Sequence, residues 1–222
     1  CNSYFTHIYR LSVDANRHGG VKKGYQKWKG YMNNFDLGVR VGVDLPSEDK
    51  GNIPDSSVYN KVYRNSWSSC TNLTLGIGQD MMLATPLQLA NSMCIIANKG
   101  YYFTPHFVEK IDEETPEDTI MNAFRKKHSP LTSISDDAYE AVMAGMQDVV
   151  EIGTARMAQL PGINVCAKTG TAENYRVIDG KRTKLKDNSV FVCFAPRENP
   201  KIAIAVIVEN AGYGGTWAGP IA

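Results

Sequence analysis

Two apolar runs near the end of the chain, Ser189 to Ala195 and Lys201 to Glu209, are separated only by Pro196-Arg197-Glu198-Asn199-Pro200. Both are rich in Val, Ile and Phe, residues that pack well on a pleated surface. A five-residue link is too short for a crossover, so the two strands pair antiparallel. A third strand is expected over 164–172. The polar, basic connector 173–188, with Lys181, Arg182, Lys184 and Lys186, reads as a hairpin excursion. Three strands joined this closely define an antiparallel sheet.

Helices are expected elsewhere. Residues 1–18 carry Tyr4, Phe5, Ile8 and Leu11 at three- and four-residue steps, and Gly19-Gly20 ends that pattern. A second helix is expected from Gly24 to Phe35, with Tyr25, Trp28, Tyr31 and Met32 as core. Residues 36–66 are rich in Gly, Pro, Asp and Ser and read as an ordered loop or lobe with little periodic structure. Leu73 to Gln79 reads as a tight bend; its two glycines lack the third that a dinucleotide fingerprint needs. Thr85 and Pro86 open a helix to Asn98 whose apolar residues are expected to be buried. Tyr101 to Ile111 reads as extended, and 112–130 as an exposed, charged excursion. Ser135 caps a helix to Val150 with Ala138, Val142, Met146 and Val149 inward. Gly153-Thr154-Ala155 opens a short helix, and Gly212, Gly214 and Gly215 form a loop before a last one.

The chemistry is placed at Val165-Cys166-Ala167-Lys168-Thr169-Gly170-Thr171-Ala172. The stretch begins apolar and turns polar at Lys168. An ammonium, two hydroxyls and a bare backbone edge suit an anionic, peptide-like ligand. Lys168 attracts a carboxylate, and Thr169 and Thr171 donate hydrogen bonds. A strand edge at Gly170 and Ala172 pairs with an extended peptide, and the Thr171 N–H is placed to meet a developing oxyanion. A second tract, Ser47-Glu48-Asp49-Lys50, matches Ser-x-x-Lys literally. Its two acids hold Lys50 charged, the wrong state for a base, so it reads as a loop.

Composition removes other classes. A net charge of +1 over 222 residues gives no basic footprint for nucleic acid. No apolar run reaches membrane-spanning length. The five cysteines include no Cys-x-x-Cys, and the four histidines show no metal-ligand spacing, so neither a metal nor a cofactor is expected. Cys166 and Cys193 lie in strand patterns and read as small buried hydrophobes. The chain does not open on Met, so it is expected to begin inside a longer protein.

Several blocks then occur in a recognisable order: Asp44-Leu45-Pro46-Ser47-Glu48, Gly76-Ile77-Gly78-Gln79, Ala84 to Ala90, Ala97-Asn98-Lys99-Gly100, Gly145-Met146 with Val149-Val150 and Gly153-Thr154-Ala155, Lys168 to Ala172, and Phe194-Ala195-Pro196 with Glu198 to Lys201. In that order the chain resembles the transpeptidase domain of class B penicillin-binding proteins, most closely the elongation type, penicillin-binding protein 2. The resemblance covers almost the whole chain. It implies an α+β fold, a five-stranded antiparallel sheet flanked by helices, of which this chain supplies the last three strands. Residues 1–222 are then the C-terminal portion of one transpeptidase domain. Lys168-Thr169-Gly170 is the third family motif, and Cys1-Asn2 looks like the end of the second, Ser-x-Asn. The first, with the nucleophilic Ser, belongs upstream.

The resemblance implies a peptidoglycan D,D-transpeptidase. Lys168 supplies electrostatics and a hydrogen bond to the second motif's Ser, Thr169 and Thr171 hold the donor carboxylate, and Asn2 orients the substrate amide. The implied partners are lipid-linked stem peptides, β-lactams and a membrane glycosyltransferase of the elongation complex. The implied location is the cytoplasmic membrane, with an upstream single-pass anchor and the catalytic domain on the periplasmic side. A D,D-carboxypeptidase or β-lactamase-type hydrolase, a β-lactam sensor and an inactive scaffold are the alternatives. Two departures stand out. Members commonly have Gly where this chain has Asp80, and many have His and Trp where Asn188 and Val190 stand.

Overall fold

The apolar spacing at the start of the chain folds as two helices, α1 (Asn2–Val13) and α2 (Ala15–His18), rather than one. The break is local chemistry. The Asp14 carboxylate accepts the Asn16 N–H at 2.8 Å and starts a new turn. Helix α3 (Val21–Asn34) follows Gly19 and Gly20, both at positive φ. Residues 36–66 are not all loop: α4 (Ser56–Val62) is capped by Asp55, whose side chain accepts the Ser57 N–H. A 3-10 helix covers Leu73–Ile77. The computed structural model describes residues 2–111, 119–131 and 133–222. They pack as two compact units, Cys1–Val41 with Ser47–Thr85, and Gly42–Pro46 with Pro86–Ala222.

In the first unit the apolar stripe that marks α1 as a helix is not its buried face. Tyr4, Phe5 and Ile8 are exposed, and Tyr9 and Val13 are buried. Two bare backbones decide this. A Cβ on Gly24 would lie 2.6 Å from the Val13 carbonyl oxygen, and one on Gly76 would lie 2.6 Å from Tyr9 Cβ. Only glycine lets α3 and the 3-10 helix approach α1 that closely, on its Tyr9–Val13 side. Tyr9, Tyr25, Tyr59 and Trp67 then form the core, with ring centroids of Tyr25 5.4 Å from Tyr59 and 5.7 Å from Trp67. Tyr25 donates to the Pro54 carbonyl at 2.7 Å, and Trp67 Nε1 donates to Asn60 Oδ1 at 2.9 Å. Burial pushes the Tyr9, Tyr25 and Tyr59 hydroxyls well above the ordinary tyrosine pKa, so they stay neutral.

Asp80 has a physical explanation. Its φ is +73°, in the left-handed region that glycine enters freely. Here the strain is offset by a hydrogen bond of 2.9 Å from the buried Tyr59 hydroxyl to Asp80 Oδ2. Asp80→Ala keeps the strained backbone and leaves Tyr59 without that acceptor. It is expected to cost about 1–3 kcal/mol. Asp80→Gly loses the bond but relieves the strain and costs less. Paired denaturant titrations check the order, and an equal loss in both would remove the strain term.

The second unit is built on the sheet. The Asp44 carboxylate accepts the N–H groups of Phe107 and Val108 at 2.9 Å each, and these bonds hold its pKa below the usual range. Helix α5 (Pro86–Ala97) is followed by β1 (Tyr102–Phe103), which pairs antiparallel with β2 (Lys127–His128). The expected excursion carries a helix, α6 (Thr119–Phe124), ahead of β2. Its residues 112–118 lie outside the described ones. On α5 the fully covered side chains include Gln88 and Asn91, whereas Leu89 and Ile96 are only partly buried. This differs from the expected apolar burial. Helix α7 (Asp136–Glu151) has Ser135 as N-cap, its hydroxyl accepting the Ala138 N–H. Its buried stripe is Tyr139, Met143, Met146 and Val150. Ala138 and Val142, both expected inward, are exposed, because the 139/143/146/150 series continues through every turn.

Strands β3 (Cys166–Ala172), β6 (Asn188–Ala195) and β7 (Ile202–Val208) form an antiparallel sheet in the order β3-β6-β7. Between β3 and β6 stands a separate hairpin, β4 (Tyr175–Ile178) with β5 (Lys181–Lys184), exposed along its whole length. The sheet is covered on both faces. Cys166, Val192 and Phe194 pack with α5 and α7 residues. Ala167, Phe191 and Cys193 pack on the other face with Val150, Ala155 and Ala218. β7 follows the same alternation: Ala203 and Ala205 lie on the α5 face, and Ile204, Val206 and Val208 on the other. Short α8 (Gly214–Trp217) closes that second face. Glu140 on α7 pairs with Lys99 at 2.7 Å and Arg197 at 3.2 Å, which ties α7 to the end of α5 and to the β6–β7 link. These cations, Lys99 first, hold the Glu140 carboxyl below its usual range.

Candidate active site

The candidate residues lie on β3, an edge strand of the sheet, in register Lys168↔Val192, Thr169↔Phe191, Gly170↔Val190 and Thr171↔Ser189. Its other edge pairs with no strand among the described residues. Side chains alternate along it. Cys166 packs with α5 and α7 and Ala167 on the opposite face. Lys168 therefore projects to the α5/α7 side, and Thr169 and Thr171 to the other. The ammonium and the two hydroxyls flank one strand edge from two sides, so a ligand meets all three only by lying along that edge.

Lys168 is an exposed residue, yet neighbouring protein crowds its ammonium, and this partial desolvation lowers its pKa from the ordinary 10.5. One proton goes to the Thr169 carbonyl at 2.6 Å. Among the described residues no other acceptor is seen, which leaves two ammonium protons for an anion. Thr169 Oγ1 lies 2.8 Å from Thr154 Oγ1. Gly170 was expected to leave room for a ligand. Its bareness is used by the protein itself. A Cβ there would lie 3.2 Å from Val190 Cβ, and a Cβ on Gly214 would lie 2.3 Å from the carbonyl oxygens of Gly170 and Val190.

Behind Thr171, Ser189 is fully buried; it donates to the Tyr213 carbonyl at 3.0 Å and accepts the Ala218 N–H at 3.0 Å. This hydroxyl fastens the last turns of the chain to β6. Asn188 accepts the Asn210 N–H at 3.0 Å and the Asn174 amide at 3.2 Å. It thus joins the start of β6 to the turns after β7 and after β3. Sequence reasoning missed Ser189, which carries no signal beyond opening a strand. It noted Thr154, Gly214 and Gly215 without a role. Asn2, in the first unit, opens α1 and is exposed; Cys1 lies outside the described residues. Residues Ser47 to Lys50 form no helix, and Glu48 accepts the Val41 N–H, so Lys50 does not face Ser47 across a helical turn. No cluster of metal-ligating side chains occurs among the described residues.

The penicillin binding protein transpeptidase domain matches residues 1–222. The chain belongs to that family. Among the relatives of this transpeptidase domain is the peptidoglycan D,D-transpeptidase MrdA of Acinetobacter baumannii, 34% identical over 88% of this chain. The chain spans 30% of that relative's length. Among solved structures, PBP2 of Pseudomonas aeruginosa in complex with WCK 5153 superposes with TM-score 0.78 at 32% identity, covering 99% of this chain and 44% of that one. PBP2 of Helicobacter pylori, solved in complex with MreC, gives TM-score 0.71 at 27% identity, covering 99% of this chain and 36% of that one. These place the transpeptidase domain on the class B, PBP2-type branch, with its antiparallel sheet flanked by helices. No helix among the described residues is long and apolar enough to cross a membrane.

Proposed function

We propose that the longer protein to which this chain belongs is a serine-type D,D-transpeptidase that crosslinks peptidoglycan, and that residues 1–222 are the C-terminal portion of its catalytic domain. The observation that carries this is β3: an open strand edge with two spare Lys168 protons on one side and two threonine hydroxyls on the other. A D-Ala-D-Ala stem peptide is an extended chain ending in a carboxylate, which suits that edge. The nucleophilic Ser is assigned to sequence ahead of residue 1. Its hydroxyl attacks the penultimate D-Ala carbonyl, the C–N bond breaks, and D-Ala leaves with the proton. An amine of a neighbouring stem then attacks the ester, the C–O bond breaks, and the Ser regains its proton.

In this reading Lys168 supplies positive charge and a hydrogen bond to the second motif's Ser. Thr169 and Thr171 hold the terminal carboxylate, and the Thr171 N–H faces the oxyanion. Gly170 and Ala172 give the backbone edge, and Asn2 orients the substrate amide. No cofactor is needed. β-Lactams acylate the same Ser as substrate mimics. The Helicobacter relative's pairing with MreC supports an elongation-complex partner, and a membrane glycosyltransferase and lipid-linked stem peptides complete the assignment. The protein is anchored in the cytoplasmic membrane with this domain on its outer side.

Intact mass after incubation with a penicillin tests the reading. One covalent equivalent is expected on a protein extended upstream and none on this chain alone. Adduct on neither folded protein favours a scaffold, and an adduct mapping to Ser47 overturns the assignment of the nucleophile. Product analysis with and without an acceptor amine separates transfer from hydrolysis.

A further inference from the structure

The block Gly153-Thr154-Ala155 sits immediately after α7 and is held on both sides. A Cβ on Gly153 would lie 2.7 Å from Val149 Cα and 2.9 Å from its carbonyl oxygen, so this turn tolerates only glycine. Ala155 is fully buried, and its N–H donates to the Val149 carbonyl at 2.9 Å. Thr154 stands exposed between them, its carbonyl seated under Gly215, where a Cβ would come within 2.7 Å. Its backbone is fixed, and its hydroxyl reaches Thr169 Oγ1 at 2.8 Å.

We propose that Thr154 is a positioning residue that orients the Thr169 hydroxyl toward the substrate's terminal carboxylate. This rests on the transpeptidase reading above. Each hydroxyl has one proton to donate and lone pairs to accept with. A carboxylate only accepts, so Thr169 must give its proton to the ligand. Its oxygen is then free to accept from Thr154, and the two bonds form a relay, Thr154 to Thr169 to carboxylate, in which each polarises the next. Without Thr154, the Thr169 hydroxyl rotates freely and must be ordered by the ligand itself.

The test measures acylation rate constants of the upstream-extended protein by intact mass, with benzylpenicillin and its methyl ester as probes. Thr154→Val is expected to slow acylation by the free acid roughly threefold to tenfold, with the ester little affected. Thr154→Ser is expected to restore the rate. In a Thr169→Val background, Thr154→Val should add nothing further, since it acts only through Thr169. An unchanged rate, an equal loss with both probes, or additive losses in the double variant overturns the proposal. Wild-type acylation separates the two readings. If it is present, these outcomes judge Thr154 alone; if it is absent, the transpeptidase reading falls and takes the positioning role with it.

Discussion

Replacing Gly214 with alanine is expected to lower stability by about 2–4 kcal/mol, a drop in Tm on the order of 5–15 °C for a chain of this size. The new Cβ would stand 2.3 Å from two carbonyl oxygens, those of Gly170 and Val190. Both belong to strands in the sheet, so neither yields as a flexible side chain does. Relief requires α8 to lift from β3 and β6, which also pulls on the Ser189 bonds to Tyr213 and Ala218. Gly145→Ala on α7 is the control. A Cβ there meets nothing within 4 Å, and alanine raises helix propensity by up to about 1 kcal/mol. Calorimetry of the two variants should give opposite signs. A Gly214→Ala protein as stable as wild type would mean that α8 does not pack on the strand as described.

Lys168→Met is expected to leave the fold intact and to slow penicillin acylation of the upstream-extended protein about 10²- to 10³-fold, as for other lost electrostatic donors. Methionine keeps most of the stem, and the residue is exposed, so no packing is lost. What disappears is the ammonium with its two unused protons. The pH profile gives a second check. Partial desolvation lowers the Lys168 pKa from 10.5, so its charge is lost at a lower pH than in an ordinary lysine. The alkaline limb of acylation should therefore fall below pH 10.5. Lys168→Arg should move that limb upward, because guanidinium stays protonated above about pH 12. An unchanged rate in Lys168→Met would remove Lys168 from the site.

The parts legible from sequence are those set by local chemistry. The β6–β7 pair followed from a link too short for a crossover, and the observed register is antiparallel throughout. Ser135 as a cap and the strand carrying Lys168 were both legible, because capping and apolar runs depend on neighbours in the chain. Helix faces were less so. On α1 and α7 more than one apolar stripe was available, and the buried one depended on what packed against it. For α1 that was Gly24, on the next long helix, and Gly76, far along the chain, both suited by their lack of a side chain. Helix α4 was hidden in a stretch whose Gly and Pro content spoke for loop, although Asp55 supplied its cap.

The sequence by itself determined the elements of the sheet and the family, and it marked the candidate site. Apolar periodicity, turn residues and motif order are properties of the linear chain, and they needed no partner to be read. The tertiary structure decided which functional groups share a side. Strand alternation separates Lys168 from Thr169 and Thr171, and the fold brings Thr154, fifteen residues away, to 2.8 Å from Thr169. It also decided what Gly214 is for. The bareness of Gly214 lets α8 touch the backbones of Gly170 and Val190, and a contact between distant backbones leaves no mark in the sequence except the absence of a side chain.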